Sequence, residues 1–441
     1  MSNRVQEKVS GPGLTVGVIG LGYVGLPLAC SFSEAGVRVI GFDIDAEKTR
    51  LLNDGQSYIR QIPAERVAKG VAAKTLEATT DFARAREPDA LIICVPTPLT
   101  RNREPDLGDI RRTAESLVPY LREGQLVVLE STTYPGTTSE VLTPILERSG
   151  LKAGRDFFVG YSPEREDPGN ASFHLASVPK VVGADDPGVL EALSALYGRI
   201  VPKVVPVSSA ATAEAVKLTE NIFRAVNIAL VNELKVIYDA MGIDVWEVIQ
   251  AASTKPFGYM PFYPGPGLGG HCIPIDPFYL SWKAREYDQV ARFIELAGEI
   301  NTAMPQHVVN VAVRALSDRR QKAMRGAKVL IVGIAYKKNV DDMRESPSLK
   351  IFELLQDLGA EVSYVDPYVP VLPKMRHHPK LRALESIPYP TGSFADYDMA
   401  MICTDHDDFD YGVLVRTCPL VVDTRNAIAR NGLAAENVVK A

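Results

Sequence analysis

The chain has 441 residues, too many for one ordinary core, so two or three domains are expected. Charged residues make up 23% and hydrophobic residues 46%, the proportions of a water-soluble globular protein, and a net charge of −6 argues against a nucleic-acid-binding body while leaving room for a local phosphate site. No apolar run approaches the roughly 20 residues that span a bilayer.

The opening segment, M-S-N-R-V-Q-E-K-V-S-G-P-G, is polar, lacks the apolar core of a signal peptide, and is expected to be disordered over residues 1–13. Five cysteines (Cys30, Cys94, Cys272, Cys403 and Cys418) are scattered without disulfide or zinc spacing, and no metal site is expected. That usage fits a reducing, cytoplasmic setting.

From Leu14 the pattern is that of an α/β domain, expected over residues 14–207. The run T-V-G-V-I-G reads as a buried strand, and a helical periodicity follows it. Between them lies G-x-G-x-x-G: Gly20, Gly22 and Gly25. The first glycine permits a tight turn, the second lets backbone approach a pyrophosphate, and the third allows close helix–strand packing. A second strand, V-R-V-I-G-F-D, ends at Asp43, 18 residues beyond Gly25. An acid there binds the adenosine ribose hydroxyls and repels a 2′-phosphate, so NAD is expected rather than NADP.

Three further strands are expected within Asp89–Pro98, Gln125–Thr138 and Asp156–Arg165. Ligands in open α/β sheets bind beyond the carboxyl ends of strands. Thr97, Thr132 and Glu164 each lie just past one of these ends. Any one of them alone reads as a helix cap or turn residue; three in register point to a site.

At about Ser208 the pattern changes to a helix of more than 30 residues that stops at Gly242, within a helical domain expected over residues 208–320. Lys217, Asn221 and Arg224 share one of its faces. A lysine among Ala, Val and Ile is partly desolvated or paired, and such a lysine serves as an acid–base or oxyanion group; a solvated polar stripe is the alternative. A second helix starts near Val245, and Arg292–Ala315 reads as a third. Between them runs P-G-P-G-L-G-G-H-C-I-P-I-D-P, from Pro264 to Pro277. Gly265, Gly267, Gly269 and Gly270 allow close backbone approach. They lead into His271, a single thiol at Cys272, and a carboxylate at Asp276. A thiol at the end of a glycine-rich loop is a candidate nucleophile; a small buried apolar residue is the alternative.

Residues 321–441 echo the first domain: a strand running into a Gly turn over Ala327–Lys337, a helix over Ser346–Gly359 with Pro at its first position, and strands within Ala360–Pro367, Met399–Thr404 and Leu420–Asn426. There is no second G-x-G-x-x-G, so this sheet takes a different nucleotide or none. Lys337 and Arg425, at strand ends, could meet phosphates or lie on the surface. The fold class is α/β: two Rossmann-like doubly wound domains joined by a central helical domain with one long helix.

These pieces together resemble the UDP-glucose/GDP-mannose dehydrogenase family over nearly the whole chain after Gly13. The matching motifs, in family order, are G-L-G-Y-V-G-L-P-L-A, V-P-T-P, S-T-T-Y-P-G-T, Y-S-P-E-R, K-L-T-E-N, G-G-H-C-I-P-I-D-P, G-I-A-Y-K and D-T-R-N. Within the family, Y-S-P-E-R-E-D-P-G-N and the Pro264–Pro277 loop resemble the branch acting on UDP-N-acetylhexosamines. The UDP-glucose branch tends to carry Phe-Gly-Gly-Ser-Cys and Asn-Pro-Glu-Phe elements, and an Arg sixteen residues before the Cys where this chain has Pro256.

The resemblance implies a four-electron oxidation of a sugar C6 alcohol to a carboxylate with two NAD, on a UDP-N-acetylhexosamine and UDP-N-acetylglucosamine above all. UDP-glucose and the galacto and manno sugars stay open as substrates. By the same resemblance, Cys272 forms the thiohemiacetal and thioester. Lys217, or a water held by Asp276, takes the alcohol proton; Lys217 and Asn221 stabilise oxyanions; Thr132, Glu164 and Asp276 position the hydrolytic water. Cofactor contacts are expected from Gly20, Gly22, Tyr23, Val24, Gly25, Asp43, Lys48, Thr97, Thr132 and Arg344. Substrate contacts are expected from Glu164, Arg165, Lys217, Asn221, Arg224, Gly265, Gly267, Gly269, Gly270, His271, Lys337 and Arg425. The protein is expected to assemble as a homodimer or higher homo-oligomer through the long helix, with no nucleic-acid or membrane partner. An enzyme of a single two-electron oxidation, or a non-catalytic NAD-binding protein, are the readings from other classes; neither would need Cys272.

Overall fold

A computed structural model describes residues 2–100, 102–165, 177–270, 273–373, 375, 378–389 and 393–441. The chain divides into two compact units: Met1–Glu220 with Phe278–Val290, and Asn221–Pro277 with Ala291–Ala441.

The first unit is built on an eight-stranded sheet. Its strands are β1 (Thr15–Ile19), β2 (Arg38–Phe42), β3 (Leu76–Thr79), β4 (Ala90–Ile93), β5 (Leu126–Leu129), β6 (Phe158–Tyr161), β7 (Lys180–Gly183) and β8 (Val204–Val207). The order is β3-β2-β1-β4-β5-β6-β7-β8. The first six places are the doubly wound dinucleotide-binding order, with its switch point between β1 and β4. Every neighbouring pair is parallel except β6 and β7, which run antiparallel. β1, β4 and β5 are buried along their full length, which is why they read as continuous apolar runs. Pro206 sits in β8, at the sheet edge, where a missing N–H breaks no ladder.

Residues 2–10 form a helix rather than the disordered lead-in expected from their polarity. Val5 and Val9, one helical turn apart, are buried in the core of this unit. The Arg199 guanidinium closes the helix end, donating to the Val9 carbonyl (Nη2, 2.8 Å) and the Gly11 carbonyl (2.7 Å). Those last carbonyls have no partner within the helix, so a cation is well placed there.

The second unit carries a five-stranded, all-parallel sheet: β9 (Lys328–Val332), β10 (Glu361–Val365), β11 (Met399–Ile402), β12 (Val421–Asp423) and β13 (Val438–Lys440), in the order β10-β9-β11-β12-β13. The helix Pro347–Asp357 starts as expected, with the Ser346 hydroxyl accepting from the Ser348 N–H and Pro at the first position. The helix Arg292–Arg320 runs beyond the expected Ala315, because nothing stops it until Gln321 turns left-handed at φ 51°. The long helix spans Ala210–Met241 and contributes residues to both units. Gly242, at φ 73°, ends it, and the Ile243 N–H donates back to the Tyr238 carbonyl. Among the described residues, no helix is long and apolar enough to cross a membrane.

Candidate active site

In the first unit, the glycine turn after β1 is shaped by close backbone contact. Gly20 has φ 89°, and a Cβ there would stand 2.6 Å from the Cys94 carbonyl oxygen. A Cβ on Gly25 would stand 1.9 Å from the Gly20 oxygen, so only glycine lets the helix Gly25–Glu34 start so near the strand. At Gly22 a Cβ would meet nothing within 4 Å, so the turn opens outward there. Val24 precedes this helix and gives it no side-chain cap, and its positive end faces the same turn. Tyr23 and Val24 flank the opening, half-buried. The Asp43 carboxylate accepts from the Leu21 N–H (2.9 Å) and the Asp45 N–H (3.0 Å), with the Lys48 ammonium 4.0 Å away. An open glycine cradle, an uncapped helix start and an acid at the end of β2 fit the pyrophosphate and adenosine ribose of NAD.

Thr97, Thr132 and Glu164 follow β4, β5 and β6, three neighbouring strands, so the expected register holds. The Thr97 hydroxyl donates to the Thr132 carbonyl at 2.8 Å. Tyr279, which the sequence reading passed over, donates its hydroxyl to the Thr97 carbonyl. Glu164 Oε1 accepts from the Arg165 N–H (2.6 Å), and its Oε2 stands 3.5 Å from the Lys180 ammonium. Arg165 is engaged elsewhere: its guanidinium pairs with Glu220 at 2.6 Å and donates to the Pro179 carbonyl at 2.5 Å. Lys217 is buried, at 5% exposure.

In the second unit, Asn221 and Asp276 meet. The Asn221 amide donates to Asp276 Oδ2 at 2.5 Å, and Arg224 Nη2 donates to the Asn221 carbonyl oxygen. The amide is thus held between a cation and an anion. The glycine loop is fixed from several sides. The Gly265 N–H donates to Asn232 Oδ1 (3.1 Å), and Asn232 donates to Asn301 (2.9 Å). A Cβ on Gly265 would stand 2.6 Å from Arg425 Nη1, and one on Gly269 would stand 2.6 Å from the Tyr336 Cβ. Gly267 and Gly270 have φ 143° and 88°. The Gly270 N–H donates to the Arg344 carbonyl at 3.0 Å, while the Arg344 guanidinium is paired with Asp342 at 2.6 Å. Arg425 donates from Nε to the Cys403 carbonyl (3.0 Å), and Lys337 is half-buried after β9. His271 and Cys272 lie outside the described residues.

The second sheet departs from the first at one telling place. Asp366, at the end of β10, corresponds in position to Asp43. It accepts from the Ile334 and Ala335 N–H groups (2.8 and 3.1 Å) and pairs with His406 at 3.0 Å, fully buried. The His406 contact holds its carboxyl below the usual range in spite of burial. An acid consumed in this way does not face a ribose.

Three regions match family models: residues 14–201 the NAD binding domain of the UDP-glucose/GDP-mannose dehydrogenase family, residues 211–303 its central domain, and residues 330–430 its UDP binding domain. The chain is 36% identical to a UDP-N-acetyl-D-glucosamine 6-dehydrogenase of Pseudomonas aeruginosa over 398 residues, covering 90% of this chain and 91% of that protein. It is also 36% identical to a UDP-N-acetyl-D-mannosamine dehydrogenase of Salmonella typhi, covering 90% and 94%. A solved UDP-D-ManNAc dehydrogenase of Pyrococcus horikoshii superposes with a TM-score of 0.86 at 31% identity, covering 97% and 98%. With all three family regions in order along it, the chain belongs to the UDP-glucose/GDP-mannose dehydrogenase family and is an NAD-dependent oxidoreductase of nucleotide sugars.

Proposed function

We propose that the protein oxidises C6 of a UDP-N-acetylhexosamine, UDP-N-acetylglucosamine foremost, to the corresponding uronic acid. The observation that carries this reading is the hydrogen-bonded set Arg224–Asn221–Asp276, with Asn221 and Asp276 buried, whose aspartate lies in the motif holding Cys272. Relatives named for N-acetylglucosamine and N-acetylmannosamine substrates support an acetamido sugar and do not separate the two epimers.

NAD, held by Gly20, Gly22, Tyr23, Val24, Gly25 and Asp43 with Lys48, Thr97 and Thr132 beside it, supplies the hydride acceptor when bound. Lys217, or a water on Asp276, takes the C6 hydroxyl proton in the first oxidation. The Cys272 thiolate then adds to the aldehyde carbon and retains it as a thiohemiacetal. The thiohemiacetal hydroxyl gives its proton to Lys217, a second NAD, bound in the place of the first, would accept the second hydride, and a thioester results. Water adds to the thioester carbon, its proton passes to Glu164 or Asp276, the C–S bond breaks, and the thiolate and a carboxylate are left. Lys217 and Asn221 donate to the oxyanion of each tetrahedral species, a role worth roughly 3 kcal/mol per donor. Lys337, Arg425 and the loop Gly265, Gly267, Gly269, Gly270 and His271 take the UDP-sugar, with Arg224 near the sugar. Arg165, paired with Glu220, lies on the sugar side of this scheme, and Arg344, whose carbonyl accepts from the Gly270 N–H, on the cofactor side. The same reading assigns residues 14–207 to NAD, 208–320 to the central helices and 321–441 to UDP, in a cytoplasmic homo-oligomer joined through the long helix.

The test is the NADH released per mole of UDP-sugar at completion, with UDP-GlcNAc, UDP-GalNAc, UDP-ManNAc and UDP-glucose. Two equivalents with UDP-GlcNAc fastest is the expected result, and Cys272→Ala is expected to form no acid. One equivalent, or acid formation by that variant at near-normal rate, overturns the covalent mechanism.

A further inference from the structure

The first unit contains a buried ionic group that this chemistry has not used. Lys180 is the first residue of β7, at 2% exposure, and its ammonium lies 3.1 Å from Glu130 Oε2 and 3.5 Å from Glu164 Oε2. Glu130 follows β5 and is itself buried, and its other oxygen accepts from the Tyr197 hydroxyl. The Lys180 ammonium also stands over the Tyr197 ring, 5.2 Å from its centre.

Topology explains the meeting. β7 is antiparallel to β6, with Tyr161 opposite Gly183. Three residues onward from Tyr161 is Glu164, and three residues back from Gly183 is Lys180. The one antiparallel step in an otherwise parallel sheet therefore sets the lysine opposite the carboxylate, and the Ser162 hydroxyl locks the register by donating to the Val181 carbonyl at 2.8 Å. A parallel β7 would have put its first residue at the other end of β6.

A dehydrated lysine needs a reason to stay charged, and here two carboxylates supply it. Burial pushes the Lys180 pKa down, and Glu130 and Glu164 together drive it above its ordinary value. Burial pushes Glu130 up, and Lys180 opposes that shift. Among the described residues, the charged and titratable groups around Glu164 include Lys180 on β7, Glu130 after β5, the Cys94 thiol after β4, and Arg165 beside it; Tyr197 stands behind Glu130, and Glu220 on the long helix holds Arg165. One ammonium is thus shared by two acids.

We propose that Lys180 is a positioning residue of the reaction: its ammonium keeps the Glu164 carboxylate anionic and aimed at the strand end, ready to take the proton of the water that hydrolyses the thioester, while Glu130 sets how much of that ammonium Glu164 receives. This rests on the assignment of thioester hydrolysis to Glu164. It carries a signature that mere structural support lacks, because removing the cation and removing the competing acid act on Glu164 in opposite directions.

The test compares the full-length protein with Lys180→Met, Lys180→Arg, Glu130→Gln and Glu164→Gln. The readings are turnover against pH with UDP-GlcNAc, and the intact mass of chain quenched during turnover. Lys180→Met is expected to move the acidic limb of the turnover profile upward by about one pH unit, a roughly tenfold loss on that limb, with acyl-enzyme accumulating. Lys180→Arg restores the limb. Glu130→Gln moves it the other way. Glu164→Gln accumulates acyl-enzyme at every pH. If Glu164→Gln behaves so while both Lys180→Met and Glu130→Gln leave the limb in place, the role given to Lys180 is wrong and that of Glu164 stands. If Glu164→Gln turns over normally without acyl-enzyme, the assignment to Glu164 fails first, and the role of Lys180 with it. Should Lys180→Met not fold, the opposite shift in Glu130→Gln and the unmoved limb in Lys180→Arg decide the matter.

Discussion

The Asn221 amide donates to the Asp276 carboxylate at 2.5 Å, joining the long helix to the start of the helix Asp276–Ala284. Both side chains are buried, so the bond is expensive to break: an acid left without its donor carries the full cost of dehydration. Asn221→Ala should lower kcat by roughly a hundredfold, from one lost oxyanion donor. Asn221→Asp sets a second carboxylate against Asp276 and should do worse as pH rises, since two adjacent acids cannot both ionise cheaply. Turnover of both variants at pH 6 and pH 9 checks this; an Asn221→Asp variant that improves on Asn221→Ala at the higher pH would refute it.

Asp43 does two jobs with one carboxylate. It fixes the glycine turn by accepting from Leu21, and in the proposed reading it also takes the adenosine ribose hydroxyls. Asp43→Ala should weaken NADH binding at least tenfold, since hydrogen bonds to charged groups are worth about 1.5–3 kcal/mol. It should weaken NADPH binding far less, because the charge that repels a 2′-phosphate is gone. Fluorescence titration with both cofactors decides; equal losses for the two would mean that Asp43 serves only the turn.

Where the sequence was readable, the reason is visible in the sheet. β1, β4 and β5 are buried on both faces, so they stand out as apolar runs, and neighbouring strand ends bring Thr97, Thr132 and Glu164 together without any knowledge of side-chain contacts. β3, β7, β8 and β13 escaped notice. L-E-A-T and V-V-P-V are short, mixed in character and near sheet edges, and K-V-V-G begins with a lysine that reads as exposed. Lys180 is buried only because Glu130, 50 residues earlier, and Glu164 are brought to it by the reversed strand, and no local pattern records that. The first helix was hidden for a different reason: two valines in a polar stretch are too few to signal a helix, and the side chain that closes its end, Arg199, is 190 residues away from Val9. Tyr279 is hidden in the same way, its bond to Thr97 crossing 182 residues.

Gly265 and Arg425 are in close contact within the second unit. A methyl group at Gly265 would fall 2.6 Å from Arg425 Nη1, and the flexible guanidinium, rather than the loop, would give way. Gly265→Ala should therefore raise the KM for the UDP-sugar by roughly tenfold, the scale of one charge-assisted contact, and leave the Kd for NADH within about twofold. Arg425→Lys should show the same split. Loss of NADH binding in either variant would count against a role confined to the nucleotide sugar.

Glu214, on the long helix, is buried and accepts from the Gly136 N–H (2.6 Å), the Thr138 N–H (2.9 Å) and the Thr138 hydroxyl (2.6 Å). It thereby ties down the S-T-T-Y-P-G-T loop that contains Thr132. Burial pushes its pKa from 4.5 up to about 7, with these three donors pulling the other way. A carboxyl raised on folding binds more protons folded than unfolded, so its contribution to stability is fully present below about 4.5 and is lost as pH rises through about 7. Glu214→Gln cannot titrate, and its amide NH₂ would face a backbone donor, which costs about 1–3 kcal/mol. The Tm of the natural protein should exceed that of the variant by most near pH 5, and the gap should narrow toward pH 7 and level off near pH 8. A gap that widens over that range would mean that Glu214 is ionised throughout in the folded protein, its three donors outweighing its burial.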